Sequence, residues 1–101
     1  MTDKNVIDIR SSYYMTNIPH YPQFYSVANQ LSKLFYGKKF NKYLGSFQNI
    51  LQPDLHKYII YVYLPFVNNQ NVNIICIKNH ILSMIDHARR KNAQINIIYE
   101  K

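Results

Sequence analysis

Four histidines, five carboxylates and one thiol are the residues of this 101-residue chain that could support acid–base, metal or nucleophilic chemistry, and their spacing argues against each. His80 and His87 are seven positions apart on one expected helix, about two turns or ~10 Å along its axis, too far to ligate one ion together. His20 and His56 stand alone, and no His-Glu-x-x-His motif is present. Asp3, Asp8, Asp54, Asp86 and Glu100 are dispersed, whereas a Mg²⁺-dependent nuclease gathers two or more carboxylates about its metals. Pro53-Asp54 lacks the later acid-x-Lys of restriction-type nucleases, because Glu100 directly precedes Lys101. Cys76 lies within an apolar run, where a thiol is inert. Ser11 and Ser12 have no Gly-x-Ser-x-Gly elbow, and two glycines, Gly37 and Gly45, cannot build a phosphate-cradling loop. The sequence predicts a non-catalytic protein with no metal site and no cofactor.

Binding chemistry is better represented. Twelve Lys+Arg against five Asp+Glu leave a formal charge of +7, which favours polyanionic partners. The cations fall in two clusters. Lys38, Lys39 and Lys42 adjoin Tyr36 and Tyr43, a basic and aromatic mixture suited to phosphate contact with base stacking. Arg89, Arg90 and Lys91 close the last expected helix, where cations also complement the helix dipole. Lys outnumbers Arg nine to three, and Ile, Asn, Lys and Tyr make up 45 of the residues. Such residues use A/T-rich codons, which suggests a virus or phage genome and means that part of the Lys excess follows coding bias.

The elements that must position these residues follow from periodicity. Asn5–Ile9 reads as a short strand. Phe24, Val27, Leu31, Leu34 and Phe35 recur at helical spacing, with Pro22 suited to the first turn and Gly37 to the end, so a helix is expected over 22–36. Phe40, Tyr43, Leu44, Phe47, Ile50 and Leu51 repeat that spacing and argue a further helical segment at about 40–51, interrupted by Gly45 and stopped by Pro53. Lys57–Leu64 is β-branched and aromatic, the clearest strand in the chain. Val72–Ile77 reads as the next strand, Asn79 as the cap of a second helix, and Ile95–Tyr99 as the last strand.

That order, β-α-β-β-α-β, is the ferredoxin-like (split βαβ) α+β arrangement, an antiparallel four-stranded sheet with both helices on one face of a single domain. Alternation then assigns Ile7, Ile9, Ile60, Val62, Leu64, Val72, Ile74, Cys76, Ile95 and Ile97 to the helix side. The opposite side would show Val6, Asp8, Ile59, Tyr61, Tyr63, Ile75, Ile77 and Ile98, too apolar to leave in water. Either the 40–51 segment covers it or a homodimer forms, with Ile59, Tyr61, Tyr63, Ile75, Ile77 and Ile98 as the interface. The aromatic RNA-binding motifs of RRM domains are absent from the strands that would carry them.

Composition limits the setting. An apolar content of 48% supports a folded core rather than disorder, and one cysteine cannot form an intrachain disulfide. The longest apolar stretch, Tyr58–Val67, includes Pro65 and is half the ~20 residues a membrane span needs. With an N-terminus unlike a secretory signal, the chain is expected in the cytoplasm, or in host cytoplasm or nucleus if viral. The leading expectation is a small basic nucleic-acid-binding protein. A viral or phage accessory protein that binds and inhibits a host protein comes second, with a homo-oligomeric structural module third.

Overall fold

The computed structural model describes residues 5–11, 20–41, 50–66 and 71–100. Its elements are β1 (Asn5–Ile9), α1 (His20–Tyr36), β2 (Tyr58–Pro65), α2 (Val72–Arg90) and β3 (Gln94–Glu100), with one 3₁₀ turn at Leu55–Lys57 before β2. The three strands form one sheet in the order β1-β2-β3, and both neighbouring pairs are parallel. Register runs Asp8↔Tyr61 on one side of β2 and Tyr61↔Asn96 on the other.

The antiparallel ferredoxin-like expectation is therefore incorrect, and the error lies at Val72–Ile77. This segment is the first third of α2 rather than a strand. Five of its six residues are apolar, as in a short strand, but Ile74 and Ile77 continue into Ile81, Met84, Ile85 and Ala88 at offsets 0, 3, 7, 10, 11 and 14. That is one helical stripe, and all six are buried. The side chain of Asn71, not Asn79, caps the helix, accepting from the amides of Asn73 at 2.9 Å and Ile74 at 3.4 Å. Val72 and Ile75 are left exposed at 77% and 41%, and Cys76 is exposed rather than held in an apolar strand.

With one strand fewer, both connections become β-α-β crossovers that step in the same direction along the sheet. Right-handed crossovers then put α1 and α2 on the same face, where they pack against each other. Ile60, Val62 and Leu64 of β2 are fully buried beneath them, with Ile9, Ile95, Phe24, Val27, Leu31 and Phe35. Ile7 and Ile97 pack at the margin of this core. The alternation read for these three strands was correct, because a strand's period of two does not depend on its partner's direction.

α1 begins at His20, slightly before the expected Pro22, and ends at Tyr36, with Gly37 just beyond it. Gly37 has φ 70°, and its N–H donates to the Lys33 carbonyl at 2.9 Å, a left-handed cap. The positive φ is what favours glycine here; the Gln52 side-chain amide lies against the position a Cβ would take, but as the end of a flexible side chain it can move aside. α2 ends differently. Asn92, φ 70°, donates to Arg89 O at 3.1 Å while Ala93 donates to Ala88 O at 3.1 Å, the paired bonds of a Schellman motif. After Gly37 the chain turns back over the helices. The Phe40 amide donates to Asn29 Oδ1 at 3.1 Å, and the Phe40 ring meets Tyr25 and His80, each with centroids 5.5 Å apart.

Most of the expected 40–51 helix, residues 42–49, lies outside the described residues. Its described ends, 40–41 and 50–51, are not helical, and Phe40 and Leu51 pack on the helix side of the core rather than on the open sheet face. No helix among the described residues is long and apolar enough to cross a membrane.

Candidate nucleic-acid interface at the helix C-terminal end

Parallel crossovers make α1 and α2 run the same way, antiparallel to the strands, so both helices end where β2 and β3 begin. The described members of the two basic clusters, Lys38 and Lys39 with Arg89, Arg90 and Lys91, are thereby brought to one end of the molecule. In the antiparallel arrangement the helices would have run in opposite senses, placing the clusters at opposite ends. Two contacts tie the ends together. The hydroxyl of Tyr36, in the last turn of α1, lies 3.0 Å from His87 Nδ1 in the last turn of α2. Their rings are 5.8 Å apart. The Gln52 amide donates to the Phe35 carbonyl at 2.6 Å, drawing the segment before β2 against the same end.

Seven cations gather here: Lys33, Lys38, Lys39, Lys57, Arg89, Arg90 and Lys91. Only Arg10 and Lys78 of the other described Lys and Arg lie elsewhere. Two carboxylates share this end. Asp86 pairs with Arg90 at 2.9 Å and Asp54 with Lys57 at 3.7 Å, both on exposed side chains. Each helix C-terminus adds about half a negative charge, which together offset roughly one of the five cations in excess of carboxylates. A clear positive surplus remains.

The expected binding residues divide on inspection. Lys38, Lys39 and Lys91 are exposed and have no ion-pair partner among the described residues. Arg89 donates to the Ile95 carbonyl at 2.7 Å, fastening α2 to β3, and Arg90 is held by Asp86. Tyr36 is 5% exposed and cannot stack on a base as expected; its ring and hydroxyl join the two helix ends. Burial pushes its phenol above the ordinary value. Lys42 and Tyr43 lie outside the described residues. Lys33, Lys57, His56 and His87 were missed as members of this end. Lys33 was legible as a last-turn cation, whereas His87 joins only because α1 and α2 run parallel.

Beside these cations lies a cavity of about 390 Å³ between residues 50–56 and the last turn of α2. Ile50, Leu51, Pro53 and Leu55 supply its apolar wall, and Gln52, Asp54, His56, His87 and Lys91 its polar one. It opens at the amino ends of the strands. Parallel α/β sheets usually bind substrates at the carboxyl ends, at a point where strand order reverses, and the order β1-β2-β3 has no such reversal. Among the described residues no three His, Cys, Asp or Glu side chains gather as a metal site.

The expected oligomer interface divides as well. Ile59, Tyr61 and Tyr63 of β2 and Ile98 of β3 do share the sheet face away from the helices, with Val6 and Asp8 of β1. Ile75 is instead on an exposed flank of α2, and Ile77 is in the core, both through the same reassignment of 72–77 from strand to helix. At the carboxyl end of this face, Arg10 lies 3.6 Å from the Tyr63 ring centroid and 3.3 Å from Glu100. No family model, curated protein or solved structure matches the chain.

Proposed function

We propose that the chain is a small, non-catalytic nucleic-acid-binding protein that contacts phosphates through Lys38, Lys39 and Lys91, with Lys33 and Arg90 at the margin. The carrying observation is the collection of the described members of both basic clusters at one end, with Lys38, Lys39 and Lys91 exposed and without an ion-pair partner among the described residues. Phosphate contact needs mobile, unpaired cations within one footprint, and releases counterions as it forms. With about four phosphate contacts, affinity falls roughly 10²-fold between about 50 and 200 mM salt. Retention of labelled single- and double-stranded DNA and RNA across that range tests the reading, and absence of binding to all of them at the lower salt ends it.

The half-buried Ile59, Tyr61 and Tyr63 and the exposed Ile98 on the sheet face favour a second reading, docking of a protein partner or of another copy of the chain. Tyrosine offers large contact area at low entropic cost. Light scattering over a concentration series, with a Y61A/Y63A variant as control, tests self-association through this face.

A further inference from the structure

We infer that the cavity beside the basic end seats one unstacked nucleotide, giving this end a preference for single strands and strand ends over continuous duplex. The inference rests on the reading of this end as a nucleic-acid contact and adds what that contact would select. A cavity of about 390 Å³ is at the small end of the range for pockets that enclose organic ligands. It is larger than a phosphate needs, and its chemistry is mixed. Ile50, Pro53 and Leu55 provide apolar surface for the faces of a base. His56 and His87 provide heteroaromatic rings and N–H groups for its edge, and Lys91 stands at the side for a phosphate.

His87 is set for this role by its neighbour. Its Nδ1 is engaged by the Tyr36 hydroxyl at 3.0 Å, which holds the ring in place and leaves Nε2 as its other hydrogen-bonding atom. A nucleobase edge carries both donors and acceptors to meet such a ring nitrogen, but in a duplex its Watson–Crick edge is already paired and its faces are stacked. Only an unpaired nucleotide can enter while Lys38 and Lys39 hold the flanking backbone.

The test uses fluorescence anisotropy at one salt concentration with matched 20-nucleotide single strands and duplexes, in DNA and in RNA. Ile50 and His56 are exposed, so I50A and H56A leave the fold intact, as a thermal melt will verify. The wild-type protein is expected to bind single strands at least about tenfold more tightly than duplex. I50A/H56A should remove that preference and leave duplex binding unchanged, whereas K38A/K39A should weaken both substrates alike. A nucleoside monophosphate at millimolar concentration should compete with the single strand and not with the duplex. Equal binding of both forms, or an unchanged preference in I50A/H56A, overturns the inference while leaving the proposed function standing. Binding of neither form removes both.

Discussion

At the helix C-terminal end, Lys38, Lys39 and Lys91 have no ionic partner among the described residues, whereas at the carboxyl end of the open sheet face Arg10 and Glu100 are both engaged. There Arg10 lies over Tyr63 and bonds Glu100, and the Gln30 side chain donates to the Arg10 carbonyl. The apolar distribution runs the other way. The basic end buries Tyr36, Phe35 and Leu55, while the sheet face leaves Val6 60% and Ile98 37% exposed. Among the described residues the positive charge is thus unevenly placed, with seven of the nine Lys and Arg at one end, and the partly exposed apolar side chains lie elsewhere, on the sheet face.

The largest expected effect tests where the sheet face stops. Ile77→Ala should cost about 2–5 kcal/mol, since it empties a fully packed site between α2 and the core, whereas Ile75→Ala should change stability by less than about 0.5 kcal/mol. Urea denaturation of the two variants measures this, and similar costs for both would restore them to one sheet face. Next in size, K38E/K39E/K91E should lower nucleic-acid affinity at least about 100-fold at low salt with little change in melting temperature. The milder K38A/K39A should reduce the slope of log affinity against log salt by about two. Y61A/Y63A should leave both quantities unaltered; a matching loss would show that the two regions act as one surface.

Tyr36→Phe removes the bond that joins the helix ends, an expected loss of about 1 kcal/mol at neutral pH. The pH dependence has a definite sign. Because the folded-state phenol is raised by burial, the unfolded chain ionises first. The stabilisation is therefore intact below about pH 10 and declines above it. Urea midpoints at pH 7 and above pH 10 should accordingly converge between wild type and Y36F. The smallest effect belongs to the sheet end. Glu100→Gln breaks a half-exposed pair with Arg10 and should cost well under 1 kcal/mol, falling further in salt.

Several features were readable from residue order alone. The stripe Phe24–Phe35 specified α1 and its buried face, and the β-branched and aromatic run at 58–64 specified β2 with Ile60, Val62 and Leu64 inward. The cationic composition and the two clusters were equally plain. Each depends on a local period or on composition, which tertiary context does not alter. Val72–Ile77 was different, because a short run with five apolar residues, broken only by Asn73, fits a buried strand and the beginning of a period of 3.6 equally well. Burial of Ile77 together with Ile81, Met84 and Ile85 selected the helix, with Asn71 as its cap.

That single choice made the sheet parallel and set the direction of α2. It also decided whether Lys38–Lys39 and Arg89–Lys91 lie together or apart, and whether His87 meets Tyr36. The sequence by itself determined which residues are charged, which helix and strands form around them, and which strand faces are apolar. Only the tertiary structure decided that Lys38 and Lys39 share one end with Arg89, Arg90 and Lys91, because a helix's direction is fixed by the strand it returns to and not by its own residues.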